Sequence, residues 1–258
     1  MSKRPFTTRG HTLLELTIAL ALGLLIVVAA LSLYRGQRAA FERAADTARI
    51  HDGAVAALEL IAQHVQMAGF ASTRADAPLF GCVQGRVVGA DTAASCESLA
   101  SRSDGLQVRY AADAVSTWPA STGAPTDCLG QAVADDYVTN RFYAKGGTSA
   151  GEPELYCEGG GKQAQPLVEG IERVRIQYWL TDAPSAVDAS AIPRDRWPEV
   201  HAIDLCVLVR GFVTLSSPRT SYVDCSGASV IADDGRTRQA FWRHVAIRNA
   251  TASSRGPA

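Results

Sequence analysis

Residues 10–15 read Gly-His-Thr-Leu-Leu-Glu, and residues 16–33 continue LTIALALGLLIVVAALSL without a single charge. As a helix, that uncharged run would span roughly 27 Å, close to the thickness of a bilayer's hydrocarbon core. The ten residues MSKRPFTTRG before it hold Lys3, Arg4, Arg9 and no acid. Basic residues ahead of the run and mixed charges behind it predict an N-terminus in the cytoplasm and the remainder outside. One carboxylate, Glu15, stands at the edge of the run. An unpaired charge there is costly, which makes Glu15 a candidate functional residue. Three readings compete: a cleaved secretory signal, a plain anchor, and a processed assembly segment. The run is long for a signal core, and Glu15 at its start also weighs against a cleaved secretory signal; taken alone, Glu15 reads slightly better as an interfacial carboxylate reaching the headgroups than as an assembly residue.

The helical pattern continues past the apolar run. From Tyr34 to Gln66 there is no proline, and Ala, Leu, Arg, Glu and Gln dominate. Arg38 and Glu42 are four apart and Asp46 and Arg49 three apart, so each pair can meet on a helix surface. Val55, Leu58, Ile61, Ala62 and Val65 form one apolar stripe. Met67-Ala68-Gly69 supplies a glycine stop. One helix is therefore expected over 11–67, its membrane part at about 13–33 and its second half amphipathic. Gly23, Gly36 and Gly53 interrupt it, as hinges or as points of close helix contact.

From residue 68 the texture changes to short alternating runs. Leu106–Tyr110 alternates, as do Val174, Ile176, Tyr178 and Leu180, then Ile203, Leu205, Val207 and Val209, then Val245 and Ile247. These read as half-buried antiparallel strands whose apolar face the helix stripe can cover. Fold class is thus α+β: a long N-terminal helix, transmembrane then amphipathic, packed on an antiparallel β-sheet. The expected divisions are a cleaved leader 1–10, a helical spine 11–67, a β-rich globular domain 68–249 and a disordered tail 250–258. Segments 71–103, 112–136, 144–166 and 182–199 read as surface loops.

The chain carries 25 Lys plus Arg against 26 Asp plus Glu, with no basic run, so nothing electrostatic points to nucleic acid. The cysteines are Cys82, Cys96, Cys128, Cys157, Cys206 and Cys225. The topology puts all of them outside the cytoplasm, where disulfides persist. Neighbour pairing (82 with 96, 128 with 157, 206 with 225) is preferred because each enclosed loop contains turn residues, though spacing alone leaves every other pairing open. No C-x-x-C, H-E-x-x-H or G-x-S-x-G is present, and Gly159-Gly160-Gly161-Lys162 lacks the rest of a phosphate loop. Asp233-Asp234-Gly235 reads as a β-turn rather than a calcium loop. His51 and His64 read as part of a solvated helix face. Neither a catalytic residue, a metal site nor a cofactor is expected.

The short basic leader, Gly10, one residue, then Thr12-Leu13-Leu14-Glu15 and an uncharged helix resemble the type III signal of type IV pilins. Further stretches resemble the PilW family of minor pilins: Met67–Phe70, Ser103–Tyr110, Leu155-Tyr156-Cys157, Leu167–Glu172 leading into Val174–Tyr178, and Arg238–Phe241 followed by Val245–Asn249. The resemblance implies a type IV pilin-like fold, cleavage after Gly10 and N-methylation of His11, although the family usually has Phe where His11 stands. It implies that Glu15 pairs with the N-terminal amine of a neighbouring subunit. It further implies a non-enzymatic, low-abundance subunit that initiates pilus assembly, and it allows a place at the tip beneath a large adhesin. The partners implied are other minor pilins, the major pilin, prepilin peptidase and the inner-membrane assembly platform. The protein would sit as a single pass in the inner membrane with its globular domain periplasmic, then in the extracellular filament. A minor pseudopilin of a type II secretion system is the alternative, and a membrane-anchored periplasmic binding domain a more distant one.

Overall fold

The computed structural model describes residues 12–71, 77–90, 93–146, 151–160, 163–214 and 219–249. Helix α1 runs Leu13–Met67. The chain divides into two units, Met1–Ala45 and Asp46–Ala258. The described part of the first unit is exposed from Thr12 to Ala44, including every large apolar side chain from Leu13 to Leu33, and half-buried at Ala45. A helix with no apolar face turned inward has only its backbone hydrogen bonds and its surroundings to hold it. Arg38 and Glu42 form the expected surface pair at 3.0 Å. Nothing among the described residues lies within 4 Å of a Cβ built on Gly23 or Gly36, so no contact with them requires either glycine.

In the second unit α1 buries Ile50, Ala54, Ala57, Leu58, Ile61, Ala62 and Val65. Val55, assigned to the apolar stripe, is instead 50 % exposed. The buried face is turned so that Ala54, Ala57 and Ala62 lie against the sheets, where their short side chains let the helix backbone come close. Asp46 also departs from expectation. Its carboxylate does not meet Arg49 but accepts from the backbone N–H of Phe212 (2.8 Å) and Val213 (3.2 Å), where strand pairing changes register. The helix ends as expected, with Gly69 at φ +74°.

Thirteen strands follow among the described residues: β1 Leu79–Cys82, β2 Gly85–Val88, β3 Ser95–Ser98, β4 Gly105–Ala111, β5 Tyr137–Gly146, β6 Pro153–Gly159, β7 Gln165–Glu169, β8 Ile171–Leu180, β9 Val187–Asp188, β10 Val200–Thr214, β11 Thr220–Val223, β12 Ser229–Ala232 and β13 Arg236–Ala246. They form two main antiparallel sheets rather than one, ordered β1-β4-β5-β6-β7 and β13-β10-β8-β9, with two small hairpins, β2-β3 and β11-β12. The α+β class with a long apolar N-terminal helix is thus as expected, and it is consistent with a pilin-like fold.

The alternation in β8 holds: Val174, Ile176, Tyr178 and Leu180 are buried and the residues between them half-buried. In β10 the second face is buried too, because Cys206 and Leu208 lie under Tyr222 and Cys225. Three of the expected loops contain regular structure. Segment 71–103 holds β1–β3, segment 144–166 holds β6, and segment 182–199 holds β9 and 3-10 turns at Ala189–Ala191 and Arg194–Glu199, the latter carrying the buried Trp197. Short strands buried on both faces, such as Leu155-Tyr156-Cys157, carry no alternation to be read. Segment 112–136 is irregular, with one isolated bridge between Thr126 and Ala132.

Ser103 and Asp104 join the two sheets. The Ser103 hydroxyl accepts from Ala144 N–H of β5 (3.2 Å) and Val174 N–H of β8 (3.0 Å). Asp104 accepts from Gln84 N–H (2.8 Å) and Ile176 N–H (2.9 Å). Gly105 follows because a Cβ there would stand 2.5 Å from the Gly85 carbonyl oxygen.

Candidate assembly segment

At the helix start, Thr12 and Glu15 form a reciprocal cap. The Glu15 amide donates to the Thr12 hydroxyl (3.3 Å), while Glu15 Oε2 accepts from the Thr12 amide (3.0 Å) and hydroxyl (3.3 Å). This is the Thr-x-x-Glu capping box, which satisfies amides that a helix start leaves open. Its pattern is legible in Thr12-Leu13-Leu14-Glu15, yet the reading of Glu15 as an isolated charge passed over it. The carboxylate also sits at the positive end of the helix dipole. Two different demands therefore fall on one side chain: holding the first turn of its own helix, and offering a negative charge at the edge of the apolar run. That run belongs to the one helix among the described residues that is long and apolar enough to cross a membrane. Gly10 and His11, the residues expected to be processed, lie outside the described residues, as do the expected leader 1–10 and the tail from residue 250.

The six cysteines come together in three pairs. Cys82–Cys96 links β1 to β3, Cys128–Cys157 links segment 112–136 to β6, and Cys206–Cys225 links β10 to the β11–β12 turn. Each closes a local loop, and each would restrict the unfolded chain by about 2–4 kcal/mol.

His64 does not lie on a solvated face. Its Nδ1 is 2.8 Å from the Tyr110 hydroxyl and 3.2 Å from Asn140 Nδ2, and Asn140 Oδ1 accepts from Cys128 N–H at 2.9 Å. Two donors converge on Nδ1, so the proton sits on Nε2 and the ring is neutral. Burial pulls its pKa down to about 4 and pushes the Tyr110 hydroxyl up. Helix, sheet and disulfide-tethered loop are thereby tied at one polar point, beside a cleft of about 450 Å³. The Asp233-Asp234-Gly235 turn is an anchor for arginine: Asp234 accepts from Arg238 (2.7 Å), whose bond, ahead of a smaller opposing effect of burial, holds that carboxyl well below the usual range. Among the described residues, no group of three His, Cys, Asp or Glu side chains is placed to hold a metal ion.

Residues 141–249 match the model of the PilW family, described as type IV pilus-assembly protein W. The matched span begins in β5 and ends just after β13, so it lies wholly within the second unit and shares no residue with the capped apolar segment. It supports a PilW-like family connected with type IV pilus assembly. No curated protein and no solved structure matches the chain.

Proposed function

We propose that the protein is a minor pilin, a non-enzymatic subunit that helps initiate type IV pilus assembly and enters the filament at low abundance, with the tip as its place. The match of residues 141–249 to a pilus-assembly family carries this reading. The apolar segment, reached through different residues, agrees with it. In this reading Gly10 is the cleavage point on the cytoplasmic side and His11 becomes the methylated N-terminus. Glu15 is then the fifth residue of the mature chain. Its carboxylate meets the terminal amine of a neighbouring helix, where an uncompensated charge among apolar side chains is strongly disfavoured. That penalty rejects a subunit docked out of register. Because Glu15 also closes the capping box with Thr12, docking exchanges or shares an existing hydrogen bond rather than filling an empty acceptor.

The globular unit would stand in the periplasm and then on the filament, in contact with other minor pilins, the major pilin and a tip adhesin. The assembly platform and prepilin peptidase would act on the membrane segment. Sequencing the N-terminus of the purified protein tests the proposal. An N-methylated His11 is the expected result. An N-terminus at Met1 or Ser2 would instead favour a retained anchor bearing a binding domain, and co-purification with secretion components would favour a type II pseudopilin.

A further inference from the structure

The two main sheets have four end strands, and three of these are short: β1 spans four residues, β7 five and β9 two. The fourth is β13, eleven residues long and without a proline. Short edges, proline, lysine and bulges are the usual means of keeping a foreign strand off. β13 uses none of them over Arg238–Ala246, where its register with β10 is unbroken. The two arginines in that span are tied down, Arg238 by Glu172 and Asp234 and Arg243 by Glu59.

Backbone bonding fixes which groups of β13 face outward. Ile247 N–H donates to the His201 carbonyl (2.8 Å), one step beyond the Ala202–Ala246 pair of the β10–β13 register. Opposed residues in an antiparallel ladder alternate between bonded and non-bonded pairs. Odd-numbered residues of β13 therefore bond to β10, and even-numbered ones turn their N–H and C=O away from it. β10 follows the same parity on its other side, where Arg210 N–H donates to the Gly170 carbonyl (2.8 Å). Trp242, His244 and Ala246 thus present their N–H and C=O groups outward, and no backbone group among the described residues meets them. All three residues are exposed. Toward its start the edge is approached by β11, whose Thr220 hydroxyl donates to the Arg236 carbonyl (2.9 Å), so the open length is the C-terminal half.

Apolar surface flanks this open length on both sides. Trp242, 57 % exposed, stands on the outer face. On the inner face the His51 ring meets Phe241 edge-on (5.9 Å) and Glu59 pairs with Arg243. Val55, about one helical turn from each, lies between them on the same side of α1 and is half exposed. A strand added to β13 would set alternate side chains beside Trp242 and over Phe241 and Val55. It would cover a stripe residue that the chain itself leaves open.

We infer that β13 accepts an extended segment of a different protein as an added strand, bonded through the backbone of Trp242, His244 and Ala246. Recognition is by main chain, with a preference for apolar side chains beside Trp242 and Phe241 and none for proline. A second copy of β13 does not fit the edge. β13 runs in the same sense as α1, since Phe241 meets His51, Arg243 meets Glu59 and Asn249 meets Gln66 and Ala68. Two identical edges joined about a two-fold axis into one bonded sheet run antiparallel. Residue 46, where each chain arrives from its apolar segment, would then fall at opposite ends of the joined sheet. Two chains held in one membrane must enter from the same side.

The probe is a capped peptide of alternating Thr and Val with a Lys at each end, added to the full-length chain in detergent micelles. Amide hydrogen exchange is followed residue by residue by NMR. In the free chain the amides of Phe241, Arg243 and Val245 should exchange slowly and those of Trp242, His244 and Ala246 fast. Saturating peptide should slow the second set about tenfold or more. The same peptide with a central Pro should bind about tenfold more weakly, the worth of one or two backbone bonds. His244→Pro removes one outward N–H, leaves the bonds to β10 in place and should cost a similar factor. Ala246→Pro makes the same change at the strand end and serves if His244→Pro fails to fold. Trp242→Ala should weaken binding while keeping the alternating protection. No protection at millimolar peptide, equal binding of the two peptides, or protection without the even–odd pattern would overturn the proposal. So would a dimer of this chain, seen in sedimentation and dissolved by either Pro variant, because the edge would then belong to a second copy. Peptide binding is read on the isolated chain, so it stands or falls independently of any role in a pilus.

Discussion

Residues 13–44 and 46–67 belong to the same helix, yet they are built on opposite terms. Every described residue of the first stretch is exposed; the second buries Ile50, Ala54, Ala57, Leu58, Ile61, Ala62 and Val65. Up to Leu33 the first is rich in Leu, Ile and Val on all sides, while the second turns Ala54, Ala57 and Ala62 inward on one. A helix that is apolar all round is written for surroundings the chain does not supply, whereas a one-sided helix is written for its own sheets. The same residue type therefore has different worth in the two stretches. Leu25, 67 % exposed, is surface as far as this chain is concerned; Ile61, with no exposure, is core.

The largest effect expected from breaking this contrast is on assembly. If the first stretch serves contacts outside the chain, Glu15→Leu should leave the protein membrane-resident and stable but unable to support pili when it replaces the wild type. The altered subunit should also fail to co-purify with other minor pilins. Full piliation would show that the carboxylate is dispensable and return Glu15 to the role of helix cap alone.

Stability sharpens the contrast next. Ile61→Ala should cost the globular unit about 2–5 kcal/mol, through lost burial plus a cavity. Leu25→Ala and Val55→Ala should each change it by less than about 1 kcal/mol. Denaturant unfolding in detergent, followed by tryptophan fluorescence, measures all three. Comparable losses for Leu25→Ala and Ile61→Ala would abolish the distinction.

A narrower effect, confined to acid pH, belongs to the second stretch through His64. His64 is neutral when folded, with its pKa lowered to about 4 by burial, against about 6.5 when unfolded. Between those values the unfolded chain binds the extra proton. Stability from this group is therefore complete above about pH 6.5 and is lost as pH falls toward 4, by up to roughly 3 kcal/mol. His64→Gln should flatten that part of the profile. An unchanged slope would place the sensitivity elsewhere, for instance at Asp234, whose depressed carboxyl loses its contribution at lower pH.

The helix and its glycine stop were legible because each leaves a local mark, an uncharged run and Gly69; the Thr-x-x-Glu mark at its start was equally local but went unread. The alternating strands β8 and β10 were legible for the same reason. β6 was not, since Leu155, Tyr156 and Cys157 are buried together and show no period. Nor was the partition into two sheets, which depends on Ser103 and Asp104 bonding to residues about 40 and 70 positions away. His64 was misread because helix periodicity places a residue on a face without saying what lies opposite. Here it is Tyr110, forty-six residues on. Asp46 failed for a related reason: a charge three residues from an arginine implies a surface pair unless a distant strand supplies amides, as β10 does.

The three cross-links also set how far the molecule could lengthen under tension. They span separations of 14, 29 and 19 residues, and an extended chain reaches about 3.3–3.6 Å per residue. While the bridges hold, roughly 200 Å of slack stays locked inside closed loops. A subunit pulled from both ends could give up its sheets and still pay out only the remaining contour, so oxidation shortens its reach before any hydrogen bond is counted.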